Sequence, residues 1–537
     1  MRKYVCVGVV LLLAIAVAGC GASKGKTANA ASGGAGSSES YPELRWGLEG
    51  GFPAPIDCVK ICYGQSATIE SLAVQSLMVF EPDGKVKPGL AGSVEQPNPT
   101  TYVYHLKSAK FSDGNPLTAA DVVFSLERSR SGKESVVKGQ WADVASISAP
   151  NSTTVVIKLK RPSATFQDIV AAEGHVIERR AAEESTEKEL GTPGHMLIGT
   201  GPWRFAGYTP EVGVQLSRNP YWTGSRQPAD KISIQIFKNE ASMALALRSD
   251  AIDGVDEYVS PKPFADIPGA RRLSTSGEQT VLAFTNTKNH PFNDVHVRRA
   301  LKYATDYKGI VAALYAPGEA TEDSSIVPDS LLANLGSQPE VDQMIAALPK
   351  YEFDLTKARQ ELARSAYPHG FSTTIEVTQG WETGVAASQI LSADLAKIGI
   401  NAPVHEASAA EETKWLTGKG TGISLTDAGV YYPDPLELIE ERLGPNEIYP
   451  LGAGANVANY RNPEFDKLLS EAGESLDKHE RLQMIGDLLR IVANEVPDWP
   501  LYSPGLFATL SDKYVLPGFS YWTQLFSPWA LHVKLAS

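Results

Sequence analysis

The chain carries no run of clustered lysine or arginine, and its 49 Lys and Arg are outnumbered by 62 Asp and Glu. The formal charge is −13. A groove that follows a phosphate backbone needs a basic stripe, so no nucleic-acid partner is expected. Cysteine is scarce, four in 537 residues, and no Cys/His pair with zinc-ligand spacing accompanies any of them. The nine histidines form no close cluster, which argues against the imidazole-rich ligation that suits nickel. HExxH is absent, and His175 with Glu178 in GHVIERR makes half a metal site at most. No metal and no cofactor are expected. There is no internal repeat and, after residue 17, no second long apolar run. One membrane attachment point is all the sequence offers.

What is present starts at the N-terminus. Arg2 and Lys3 precede the apolar run 4–17, and Ala18 and Gly19 stand directly before Cys20. A permanent span needs roughly 20 apolar residues, so this run suits a cleaved export leader better. The small-small-Cys ending resembles the bacterial lipobox. Residues 1–19 are therefore read as the leader and Cys20 as the lipidated residue. Residues 20–40 are nearly all Gly, Ala, Ser and Thr, a composition that forms a flexible tether. Outside the cytoplasm a close thiol pair oxidises, so a Cys58–Cys62 disulfide is expected, against the alternative of two buried thiols. GASKG within the tether matches GxSxG, but no strand-turn-helix surrounds it to expose a nucleophile. A secreted hydrolase is thus poorly supported.

The remaining chain, about 500 residues, suggests roughly two to four domains. Hydrophobic residues make up 43% and aromatics 8%, enough for packed cores. ELRWGLEG, TYVYHLKSAKF, TTVVIKLK, KISIQIF and VLAFTN read as strands. Helix spacing appears at 69–80, from a Thr118–Asp121 capping box to Arg128, at Val297, Ala300, Leu301 and Ala304, and at Leu482, Ile485, Leu489 and Val492. Strands alternate with helices throughout, so the class is α/β.

Five blocks, in order, carry a family resemblance: FSDGNPLTAADVVFSLER (111–128), IGTGPWRFAGY (198–208) with SRNPYW, PFNDVHVRRALKYATD (291–306), FDLTKARQELARSAYPHG (353–370) and YYPDP (431–435). The chain resembles the extracytoplasmic solute-binding proteins of ABC importers, in the family that includes oligopeptide-, dipeptide- and nickel-binding members. The resemblance implies a two-lobed fold of the periplasmic-binding-protein type II, with an extra subdomain inserted in the first lobe. It assigns 41–72, 197–283 and 503–537 to the core of lobe I, 73–196 to the insert and 284–502 to lobe II. Crossovers near 277–286 and 500–507 would form the hinge. Arg298 and Arg299 are expected on a helix surface.

Ligand contacts are expected from loops at the cleft. Trp381 follows the strand 373–379, where it could stack on a ligand or plug the core. Tyr431, Tyr432 and Asp434 occupy the segment where peptide binders of the family hold their ligand, and the resemblance places Tyr431 where those proteins carry an acid. A tyrosine supplies a hydrogen bond but no charge at neutral pH. Asp427 could substitute if the loop shifts. Glu49 and Phe52 qualify by position alone, and Trp415 and Trp522 fit core or cleft equally. The expected function is capture of an oligopeptide or similar polar organic solute, without catalysis, by a lipid-anchored monomer that delivers it to a permease with its ATPases. An oligosaccharide or other non-peptide ligand, or a ligand-presenting sensory role, fits the same residues.

Overall fold

The structure, a computed structural model, describes residues 39–50, 55–61, 64–257, 262–323, 325–449 and 455–537. The leader, Cys20, Phe52 and Cys62 lie outside these residues. No helix among the described residues is long and apolar enough to cross a membrane.

Two sheets carry most of the strands. The strand Tyr41–Glu49 pairs in parallel with Ala229–Phe237 on one edge and Gly254–Glu257 on the other. Its alternating Leu44, Trp46 and Leu48 are wholly buried. That period-two pattern sets this strand inside the sheet, against a core where Trp46 meets Trp529 at 4.7 Å between ring centroids. In order, the seven strands are Trp203–Thr209, Gly213–Arg218, Ala229–Phe237, Tyr41–Glu49, Gly254–Glu257, Leu506–Ser511 and Ala270–Thr275. The second sheet runs Ala320–Glu322, Asp498–Pro504, Gln279–Thr285, Ile423–Gly429, Ile375–Thr378, Val404–Ala407. Every residue of its central strand Gln279–Thr285 is buried. Leu282 and Phe284 enter one core and Val281 and Ala283 another, which explains the unbroken apolar run VLAF. The chain leaves the first sheet after Thr275, enters the second at Gln279, and returns between Pro504 and Leu506.

A four-stranded antiparallel unit, Ala91–Asn98, Thr101–Leu106, Thr154–Leu159 and Val144–Asn151, is covered by the helix Ala119–Ser131. That helix starts where the capping box places it. Asp121 accepts from the Thr118 hydroxyl at 2.5 Å and from its N–H at 2.9 Å. This unit also touches the helices of the second sheet. Arg161 bridges Asp143, at 2.9 Å, and Glu474 in the helix Pro463–Glu474, at 3.0 Å. One apolar cluster runs from Tyr102 and Trp141 through Phe284 to Leu436 and Tyr521.

Two expectations fail here. The stretch 69–80 is not a helix: a helix Gly64–Glu70 ends there, and short strands Gln75–Ser76 and Met78–Phe80 follow. Leu72, Ala73, Leu77, Met78 and Phe80 are all buried. A segment enclosed on every side is apolar on every side, so spacing cannot distinguish helix from strand. Arg298 is not on the surface. It is 7% exposed and donates to the carbonyls of Phe292, Glu495 and Val496. Its cation thereby meets the carbonyl end of the helix Lys478–Glu495, where the helix dipole is negative. It also holds Val496, a β-branched residue at φ 48°, in the left-handed region that such residues avoid.

Candidate functional site

After the strand Ile423–Gly429 the chain turns through Tyr431 and Tyr432 into the helix Pro435–Leu443. Pro435 opens that helix because the N–H it lacks would have no intrahelical partner there. Asp434 caps it, accepting from the Leu436 N–H at 3.0 Å. Both Asp434 oxygens also accept from Arg481 Nη2, at 2.7 and 2.8 Å, in a buried ion pair. Tyr432 is 2% exposed and belongs to the core. The structure therefore places Asp434 and Tyr432 in the packed interior, as supports for the turn rather than open surface.

Tyr431 and Asp427 are placed differently. Tyr431 is half-buried, edge-on to Phe526 at 6.3 Å. Burial, then Glu441, Glu173, Glu437 and Tyr521, hold its hydroxyl well above the usual phenol range. Asp427 is solvent-exposed but ringed by protein, and that desolvation raises its carboxyl.

Carboxylates not singled out in the sequence gather beside Tyr431. Glu437 is 2% exposed, and neither of its oxygens makes a hydrogen bond of normal geometry. Burial and Glu441 raise its carboxyl well above the ordinary value, more than the Tyr431 backbone N–H and Arg442 lower it. Glu441 faces Arg442 Nε at 3.6 Å, a charge contact without a hydrogen bond. Glu173 comes from a different element, the end of the helix Phe166–Glu173. It is 3% exposed, its Oε1 is unpaired, and burial brings its carboxyl up to about 7. A sequence signal for this group does exist. Glu437 and Glu441 lie four apart and share a helix face, where like charges weaken the helix.

Farther along, Glu49 ends the strand Tyr41–Glu49. Burial, then the charge of Glu382 from the second half, brings its carboxyl up to about 7. Trp381 directly precedes the helix Glu382–Ala396 and packs partly on the second-sheet core. Its ring covers Gly384 so closely that a Cβ there would lie 2.1 Å away. Trp415 is 4% exposed and donates to Glu376 at 2.7 Å. Trp522 is 5% exposed, beside Phe80 and Phe526. Both belong to the core.

Cys58 is buried and disulfide-bonded. With Glu70 and His175 it forms the single three-donor group among the described residues whose ligand atoms lie within 4.8 Å. A cystine sulfur offers no thiolate to a metal. The His175 imidazole is committed to Glu70 at 2.5 Å and to the Ala172 carbonyl at 2.7 Å. Glu178 is turned away from His175 to cap the helix Arg179–Glu183, accepting from the Ala181 N–H. A surface recess of about 330 Å³, lined by Ile177, Leu190 and His195 among others, shares no residue with the Tyr431 group.

Comparison with known proteins places this geometry. Residues 85–449 match the family described as bacterial extracellular solute-binding proteins, family 5, middle. A putative ABC transporter peptide-binding protein of Brucella ovis is 26% identical over 452 residues, covering 79% of this chain and 80% of the relative. Heme-binding protein A of Haemophilus influenzae is 27% identical over 506 residues, covering 86% and 88%. The structure of a periplasmic binding protein, DppA, from Helicobacter pylori in complex with the peptide STSA superposes with a TM-score of 0.81. It is 20% identical and covers 92% of this chain and 98% of its own. The α/β architecture with two sheets and two crossovers is thus the two-lobed type II fold. With the family match running through most of its length, the chain belongs to the bacterial extracellular solute-binding proteins of family 5.

Proposed function

We propose that this protein is the solute-capturing component of an ABC importer, held at the outer face of the membrane through Cys20. It encloses an oligopeptide or similar polar organic solute between its lobes and delivers it to a permease, without covalent chemistry. One observation carries the reading: a chain of family 5 builds two separate sheets and passes between them twice, after Thr275 and between Pro504 and Leu506. A ligand held between the two halves touches both, so its binding free energy favours the closed arrangement. The two strand crossovers serve as the hinge, and the names of the relatives support transport. A non-peptide solute is the second reading, favoured by Tyr431 and its aromatic neighbours Phe526 and Tyr521.

Native mass spectrometry of freshly purified protein is expected to show a retained solute. Small-angle scattering is expected to show a smaller radius of gyration with that solute than after its removal. Identical scattering in both states, or turnover of chromogenic esters and peptides above background, would overturn the reading.

A further inference from the structure

Between the halves the acids outnumber their cations. Glu437 and Glu441 belong to the helix Pro435–Leu443 and Glu173 ends the helix Phe166–Glu173, and all three act electrostatically on Tyr431. Asp427 adds a fourth carboxyl near Tyr521. Against them stand Arg442, whose Nη2 is directed to the Asp427 carbonyl at 3.4 Å, and His175, committed to Glu70. Glu437 is the decisive residue. A carboxylate 2% exposed with no hydrogen bond of normal geometry on either oxygen, and only the Tyr431 backbone N–H and Arg442 to favour its charge, is rare in a folded protein, because burial without full partners is costly. Glu173, 3% exposed with one oxygen unpaired, repeats the pattern from the other half.

We propose, building on the solute-capture reading, that the solute is an organic cation whose ammonium or guanidinium groups sit between Glu173 on one half and Glu437 and Glu441 on the other. Two observations select an organic cation over a bare metal ion. Among the described residues, the oxygens of these three acids do not come within 4.8 Å of one another as a ligand set, so they suit donors spread over a larger molecule. The adjoining surface is aromatic: Tyr431 and Tyr521 both pack against Phe526, at 6.3 and 6.5 Å. Ring faces attract organic cations, and charged donors make strong hydrogen bonds to carboxylates. The arrangement also couples charge to closure. Bringing Glu173 towards Glu437 and Glu441 is opposed by repulsion, and a cation between them reverses that sign. Glu49, Glu382 and Asp427 extend the negative field and draw cations inward.

The test is calorimetric titration of the purified full chain with triarginine, trialanine, triglutamate and spermidine, at pH 8 and low salt. Triarginine or spermidine is expected to bind at least about 10-fold tighter than trialanine, with triglutamate weakest. Glu437→Gln and Glu173→Gln are each expected to weaken the cation by about 10-fold or more, while their thermal unfolding midpoints stay at or above wild type. That second readout separates lost recognition from lost folding. Trialanine or triglutamate binding as tightly as the cations would overturn the proposal, as would an unchanged cation affinity in Glu437→Gln. Failure of all four probes, with a neutral solute retained in native mass spectra, overturns the charge assignment and leaves solute capture standing. Failure of all four with no retained solute removes both.

Discussion

Arg481→Ala is expected to destabilise the protein by about 3–5 kcal/mol, the range for stripping one partner from a buried ion pair. Arg481 and Asp434 are both almost wholly buried. One guanidinium joins three helices: Nη2 is shared by the Asp434 oxygens at the start of Pro435–Leu443, Nε donates to the Ala472 carbonyl in Pro463–Glu474, and the residue itself lies in Lys478–Glu495. Alanine leaves a buried carboxylate with only the Leu436 N–H and a vacated space beside it. Adding Asp434→Asn to Arg481→Ala is expected to restore part of the loss, because the amide oxygen can still cap the helix while the unpaired charge is gone. Chemical denaturation measures both. A loss below about 1 kcal/mol for the single variant would place this pair among surface-type ion pairs and refute the argument.

The second large effect is on pH. Glu173 and Asp498 are buried, and desolvation raises each carboxyl to about 7 from the ordinary 4.5 and 3.8. The folded state then binds more protons than the unfolded chain between about pH 4 and 7. The associated stability is full below the unfolded values and is lost as pH rises through the folded ones. His175, raised to about 9 mainly by Glu70 against its own burial, acts in the same sense, losing its contribution between about 6.5 and 9. Each buried carboxyl accounts for on the order of 2–4 kcal/mol at most. The unfolding midpoint of solute-free protein is therefore expected to be several degrees higher at pH 5.5 than at pH 8.5, and Glu173→Gln is expected to flatten that slope. A midpoint that rises towards pH 8.5 would show these groups to be hydrated.

Local signals in the chain were sufficient for much of the fold. The Thr118–Asp121 box starts its helix, alternating Leu44, Trp46 and Leu48 make an interior strand, and VLAF is a strand buried on both faces. At 69–80 the signal fails, because buried apolar residues there fall at helical spacing although short strands form. Charge was misread as well. Arg298 looks solvent-facing until the end of the helix Lys478–Glu495 is laid against it. Of the residues singled out in the turn, Tyr431 is half-buried and Asp427 exposed, whereas Asp434 and Tyr432 serve the interior, a difference that local sequence does not carry.

By itself, then, the amino-acid order determined the alternation of strands and helices, the helix caps and the family, because those depend on neighbours within a few residues. Only the tertiary structure decided which acids confront one another. Glu173 and Glu437 lie 264 positions apart in the chain, and their repulsion exists only once two separate halves fold and face each other. Desolvation, which makes that repulsion consequential, is likewise a property of the assembled interior and not of any segment.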